Sequence, residues 1–400
     1  MLLTEQVQKL HSPSLSHLCH LSKNLYNLAN YYVRQEFFHL GNWLRYQDLW
    51  HVLKSHDAYE KLPAQTAQQT LRLLDRNWKS FFEAMKGWKK HPQKYRGRPS
   101  IPKYLRKDGE TLATFTNQQC RIKGGLLYFP KKATLPPIKT RIEGDKLHQV
   151  RIVPKGTYYV VEIIHEREVE NLNLEEDRIV GIDLGLNNIV TMGNNAGLKP
   201  AIIKGGVVKS VNQFYNKGVA KFRSKKDEQG YTFETKRLHK LTKDRNNKLA
   251  DFFHEASRKI IQYCKEHDFG TLVIGYNEGW KDRINLGKRN NQKFVQVPFL
   301  KLVQKIRYKA KLVGITVKLV NEDYTSKCSF LDGEVVGRHG QYQGKRISRG
   351  LFQASDGTVI NADVNACYNI PKRIPKSPLG GWDRRCRVTP ILSLRAWFMR

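Results

Sequence analysis

The stretch IVGIDLGLNNIVTM (residues 179–192) decides how the second half of this chain folds. Its β-branched, apolar residues predict two strands that turn back on each other at Asn187–Asn188. One acid, Asp183, stands in the first strand with apolar neighbours on both sides. A carboxylate so placed is not a solvated face residue; it persists only when paired or bound to a cation. A structural acid paired with a lysine and a metal ligand both satisfy that condition. Outward from this stretch, residues 209–266 read as basic helices. The last of them gathers Leu249, Phe252, Phe253, Ala256, Ile260, Ile261 and Cys264 on one face. Thr271–Tyr276 reads as a buried strand. A helix follows over 298–313, opened by Pro298 and stopped by Gly314, and then a strand over Ile315–Val320.

Two further acids take similar places. Glu278 follows the strand TLVIGYN, and Asp363 opens the helix of INADVNACYNI. They lie 95 and 180 residues beyond Asp183, so only the fold can bring the three together. Carboxylates converging at a sheet edge suit hard divalent cations such as Mg²⁺, which takes oxygen ligands. Two such ions about 4 Å apart activate water and stabilise the leaving oxygen of a phosphodiester. On spacing alone, Glu278 also reads as a surface-loop acid and Asp363 as a helix N-cap.

The first half has a different texture. Leu15, Leu18, Leu25, Leu28, Ala29, Tyr32 and Val33 recur at helical spacing, as do Ala67, Leu71, Leu74, Trp78, Phe81 and Met85. Ser14 is the expected cap of the first helix and Pro63 the expected first residue of the second. Residues 111–116, 121–128, 149–153 and 158–164 predict short strands of a small barrel or sandwich, and ENLNLEED (170–177) predicts a linker.

Composition narrows the partner. Lys and Arg number 70 against 36 acids, a net charge of +34, far more than solubility requires. Forty per cent hydrophobic residues exclude a disordered basic tail, and 400 residues predict two or three domains. No apolar run is long enough to span a membrane, and MLLTEQVQKL lacks the basic start and apolar core of a signal peptide. The six cysteines form no CxxC pair, which predicts a reduced, intracellular protein. The expected polyanion is nucleic acid. Its contacts are expected in patches. Residues 86–107 carry nine cations and no acid, interleaved with aromatics: Trp88, Lys89, Lys90, Lys94, Tyr95, Arg96, Arg98, Lys103 and Tyr104. Cations neutralise phosphates while rings stack on unpaired bases. Lys236, Arg237 and Lys240 stand in a basic helical region (217–248), and Lys345 and Arg346 in a basic loop. For each patch a solvated surface is the competing reading.

GIDLGLNNIVTM, VIGYNEGWKDRINLGKRNNQKFVQVPF, NEDYTSKCSFLD and INADVNACYNI, in this order, resemble the RuvC-like half of the TnpB family, small relatives of the type V CRISPR effectors. SKNLYNLANYYVRQEFF and LDRNWKSFFEAMKG are similar as well. The resemblance implies an α+β multidomain chain: a β-barrel wedge domain (first strand in 1–13, the rest in 99–172) with an inserted helical recognition domain (14–98). An RNase H-like, RuvC-type α/β nuclease domain (173–373) follows, then a basic tail (374–400). It implies a Mg²⁺-dependent RNA-guided DNA endonuclease, with two ions held by an Asp–Glu–Asp triad. Its partners are a guide RNA and double-stranded target DNA, with one protein per RNA, in a bacterial or archaeal cytoplasm at the nucleoid. By motif the first and last acids are Asp183 and Asp363. The usual strand glutamate falls on Gly275, so Glu278 is the nearest replacement and Asp282 the reserve. Many relatives carry two CxxC pairs before the last acid; here Cys328 stands alone within the 324–360 insert, and no structural zinc is expected. A nuclease-inactive RNA-guided DNA-binding regulator, a minimal type V CRISPR effector and a guide-independent nuclease are the alternatives.

Overall fold

The computed structural model describes residues 1–10, 12–143, 146–228, 235–277, 296–374 and 392–393. The chain divides into two compact units, Met1–Arg167 and Glu168–Arg400.

In the first unit, β1 (Leu2–Leu10) leads into helices α1 (Pro13–Leu40), α2 (Tyr46–Leu53), α3 (Asp57–Glu60) and α4 (Ala64–Lys90). The strands β2 (Ala113–Thr116), β3 (Arg121–Lys123), β4 (Leu126–Tyr128), β5 (Ile138–Lys139), β6 (Leu147–Pro154) and β7 (Tyr158–Glu166) follow. Ser12, not Ser14, caps α1, its side chain accepting from the Leu15 N–H at 3.3 Å. Pro13 decides this: with no N–H and a fixed φ it belongs at the first helical position, which puts the cap one residue earlier. Pro63 likewise stands just outside α4. The strands form two small sheets, ordered β1-β7-β6-β2 and β3-β4-β5. Helices and strands share one core: Leu18, Leu25, Leu71 and Trp78 are buried in the same cluster as Phe115, Val150, Ile152 and Val161.

A polar ladder on α1 straps the end of the basic stretch. Lys23 Nζ donates to the Lys107 carbonyl at 2.6 Å, and Asn30 Nδ2 and Arg34 Nη1 to the Pro102 carbonyl at 3.1 Å. Asn27 pairs in both directions with the Leu105 backbone at 2.9 Å. Backbone groups of Pro102, Leu105 and Lys107 are thereby satisfied by α1 side chains.

The second unit is built on one mixed sheet. Its elements are β8 (Ile179–Asp183), β9 (Asn188–Asn194), β10 (Ala201–Lys204), α5 (Gly206–Glu228), α6 (Lys236–Glu266), β11 (Thr271–Gly275), α7 (Phe299–Leu312) and β12 (Thr316–Val320). A three-stranded insert, β13 (Lys345–Ser348), β14 (Leu351–Gln353) and β15 (Val359–Asn361), precedes α8 (Ala362–Asn369), and β16 (Leu392–Ser393) adds an edge. The sheet runs β12-β11-β8-β9-β10-β16; β11 is parallel to β8 and β12, and β9 is antiparallel to β8 and β10. Alternate residues serve opposite faces, as the two-residue strand period requires. Val180, Ile182, Leu272 and Ile274 pack with Phe252, Ile260, Leu302 and Ile306 of α6 and α7. Ile202 packs with Val364, Cys367 and Tyr368 of α8.

Helix α8 lies against the sheet because two glycines face each other beneath it. Gly181 and Gly193 are cross-strand partners. A Cβ on Gly193 would meet Cys367 Sγ at 2.8 Å and the Tyr368 ring at 3.0 Å, and one on Gly181 would strike the Cys367 carbonyl and Pro371. Overpacking of this kind typically costs about 1–3 kcal/mol. Gly193→Ala is expected to lower the urea midpoint accordingly with its m-value unchanged; an unshifted midpoint would show that the helix can lift without cost.

Candidate active site

Parallel β8, β11 and β12 end at the same edge. Ile182 pairs with Ile274, and Gly275 with Val320, so Asp183, Gly275 and the residues after Val320 lie side by side. Three partly exposed carboxylates meet there, from Asp183, Asp363 and Glu322. Burial first, then the charges of Asp363 and Glu322, push the Asp183 carboxyl well above its ordinary range, and the Arg346 guanidinium pulls the other way. Burial, with neighbouring Asp323, raises Glu322 to about 7. Like charges brought this close favour either a bound proton or a bound cation.

Each acid is set by local chemistry. Asp183 ends its strand. Asn361, not Asp363, caps α8, its side chain accepting from the N–H groups of Asp363 at 2.9 Å and Val364 at 3.2 Å. Asp363 is thereby released from capping, and one of its oxygens accepts from Asn188 Nδ2 at 2.8 Å. Glu322 is pinned through its backbone: its N–H donates to Asn277 Oδ1 at 3.0 Å, and its carbonyl accepts from Thr325 Oγ1 at 2.8 Å. Asn365 and Asn369 of α8 clamp the chain just beyond. Asn365 bridges the Phe330 N–H and the Cys328 carbonyl at 2.9 Å, and Asn369 Nδ2 donates to the carbonyls of Thr325 and Cys328 at 3.0 and 2.8 Å.

The sequence reading missed Glu322. Space explains its place: a Cβ on Gly275 would lie 3.1 Å from Glu322 Oε2 and 2.8 Å from the Ile370 side chain. The glycine leaves room at the end of one strand for a carboxylate delivered from the next. The available signal was that Asn321–Glu322–Asp323 directly follows a strand, as Asn277–Glu278 does, beside a glycine where a carboxylate was wanted. Glu278 and Asp282 lie outside the described residues.

The basic candidates are exposed. Lys89 and Lys90 end α4, with half-buried Trp88 beside them; Lys94, Tyr95, Arg96, Arg98, Lys103 and Tyr104 face solvent in the first unit. The Arg34 guanidinium sits 4.8 Å from the Tyr104 ring centroid. Lys236, Arg237 and Lys240 occupy the exposed start of α6, and Lys345 and Arg346 open β13. Of these, Arg346 is the one whose charge acts on Asp183.

The insert brings together Cys328, Glu334 and His339, with ligand atoms within 4.8 Å of one another. Their hydrogen bonds are already committed. Glu334 accepts from the N–H groups of Ser329 at 2.7 Å and Gln343 at 3.3 Å, and His339 Nε2 faces the Val335 carbonyl at 2.7 Å, to which it must donate. Among the described residues these are three of the four donors that a structural zinc site takes. The five described cysteines are buried. Among the described residues no helix is long and apolar enough to cross a membrane.

Residues 158–281 match the OrfB_IS605 family, described as "Probable transposase", and residues 299–370 match the family described as "Cas12f1-like, TNB domain". The TnpB-like protein ORF457 of Acidianus two-tailed virus is 23% identical over 424 residues, covering 94% of this chain and 88% of the viral protein. The CRISPR-associated endodeoxyribonuclease Cas12f2 of a Micrarchaeota archaeon is 27% identical over 234 residues, 54% of this chain and 41% of that protein. The solved Cas12f1–sgRNA–target DNA complex aligns with 94% of this chain and 100% of that chain, at 14% identity and a TM-score of 0.38.

Proposed function

We infer, from a chain that belongs to the TnpB family, that it is an RNA-guided DNA endonuclease. It takes a guide RNA and a double-stranded DNA target and hydrolyses phosphodiesters with Mg²⁺. One observation carries this reading: Asp183, Glu322 and Asp363 share one solvent-reachable site at the end of a sheet. The strand order supports it. Numbered one to five along the chain, β8 to β12 lie 5-4-1-2-3 with the second antiparallel, the arrangement expected of an RNase H-like nuclease.

The donor set fits the cation. All three side chains offer oxygen only, and their mutual repulsion is relieved by positive charge. We assign the ligands as Asp183, Asp363 and Glu322, with Glu278 to be tested beside them. Divalent cations held there supply Lewis-acid activation of water and stabilisation of the leaving oxygen. The chain's own residues do the rest: Asn188 orients Asp363, Asn277 and Thr325 fix the Glu322 backbone, and Arg346 presents a cation to the non-bridging oxygens of the phosphate.

Gly275 favours a second reading, a guided DNA-binding regulator without nuclease activity, since the family resemblance implies a glutamate at that strand end where this chain has glycine. One experiment separates the two. The chain is expressed with its flanking genomic DNA, the co-purifying RNA is sequenced, and matched plasmid is added with Mg²⁺. A discrete RNA and cut plasmid are expected. Binding without cutting establishes the regulator, and absence of a discrete RNA overturns both readings.

The 86–107 patch makes its own prediction. Lys94→Ala with Arg98→Ala removes two exposed cations. Guide-RNA affinity is expected to fall, and the slope of log affinity against log salt to decrease by about 1–2. Filter binding at four salt concentrations reads this; an unchanged slope would place the RNA elsewhere.

A further inference from the structure

Beside the carboxylate edge the second unit encloses a pocket of about 340 Å³ whose chemistry is different. Its floor is apolar, made by Leu186, Val208 and Val297, and Leu186 lies three residues past Asp183. Its wall is amide. Asn216 Nδ2 donates to Gln296 Oε1 at 3.0 Å and Gln296 Nε2 returns a bond to Asn216 Oδ1 at 2.8 Å. Amides paired in this way each retain a second N–H and a second lone pair. The wall is locked from behind. Arg245 Nε donates to Asn212 Oδ1 at 2.9 Å and its Nη2 to the Gln296 carbonyl at 2.7 Å, with the guanidinium 5.1 Å from the Tyr215 ring centroid. Gln213 and Lys217, one helical turn apart on α5, line the same pocket.

Each ligand class can be weighed against this lining. Among the described residues no carboxylate lines the pocket, which disfavours a cation. An inorganic anion would leave the apolar floor unused. A flat heteroaromatic ring uses every part: its faces meet the aliphatic floor, and its donor and acceptor edge meets the amides, the side chains that read base edges in pairs. The volume suits one base. A lysine in the same lining suits the adjacent phosphate.

We propose that this pocket takes one unpaired nucleobase of a strand passing the carboxylate edge, with Lys217 holding the adjacent phosphate. The proposal rests on the reading that the chain acts on guided nucleic acid. A base presented by the DNA strand and one presented by the guide RNA share this chemistry.

The test is an abasic walk. Full-length Asp183→Asn protein, loaded with guide RNA, is titrated with targets carrying one abasic site at successive positions, and then with abasic guides on intact target. The same series is run with Gln213→Ala/Lys217→Ala, both exposed positions, and with Asn216→Leu as an independent change of the wall. Losses of guide–target pairing are common to all proteins and cancel in the comparison. The expected result is one position where the parent loses about tenfold in affinity and the variants lose nothing further. A penalty in the DNA series assigns the pocket to the substrate strand, and one in the RNA series to the guide. Profiles that coincide between parent and variants, in a protein that binds intact target, overturn the proposal. Failure of the parent to bind any guide or target overturns the guided reading beneath it.

Discussion

Asp183→Asn is expected to lower the cleavage rate by at least about a thousandfold while changing target affinity by less than about twofold. The change keeps the size and removes the charge at the position where burial, Asp363 and Glu322 act together. One preorganised electrostatic contact is worth roughly 10²–10³ in rate, and a shared cation ligand supports water activation and leaving-group stabilisation at once. Single-turnover cleavage at saturating protein measures the first quantity and filter binding the second. A rate within tenfold of the parent would show that the carboxylate edge is not where phosphodiesters are cut. Loss of binding in parallel would show that the substitution disturbed the fold instead.

The second large effect separates two glutamates. Glu322→Ala is expected to reduce cleavage by about a hundredfold or more, and Glu322→Gln nearly as much, since charge rather than volume is at stake. Glu278→Ala is expected to leave more than half of the rate. A readout apart from activity accompanies this. Without divalent cations the three acids repel, so Glu322→Ala is expected to raise the apo melting temperature, and added Mg²⁺ is expected to stabilise the parent more than the variant. Gly275→Glu alone should destabilise, because Ile370 and Glu322 already fill that space. Combined with Glu322→Ala it should recover part of the rate by returning a carboxylate from the neighbouring strand. Full activity in Glu322→Ala with none in Glu278→Ala would reverse the assignment.

Much of this was legible in the chain because it depends on local pattern. The apolar runs around Asp183 and over 271–275 could only be buried strands, and the stripe from Leu249 to Cys264 could only be a helix face. The cap of α1 was misplaced by two residues because a serine inside the first turn competes with one before a proline, and Pro13 settles it. Of the first unit's strands, those within 111–116, 121–128, 149–153 and 158–164 were legible in the pattern; β1 was expected only through the resemblance, and the two-residue β5 was not expected. Their division into a four-stranded and a three-stranded sheet was not, because register and pairing depend on non-local contacts.

What the sequence by itself determined is chemical: a cation-rich chain with isolated acids at strand ends and a helix start, patches of exposed positive charge, and motifs that resemble one family. These follow from residue identity and short-range periodicity. What only the tertiary structure decided is which acids meet. Gly181 and Gly193 seat α8 so that Asp363 reaches Asp183, and Gly275 leaves the space that Glu322 fills from the adjacent strand. Neither is visible along the chain, because the missing side chains act on residues 47–190 positions away, through volume rather than through sequence pattern.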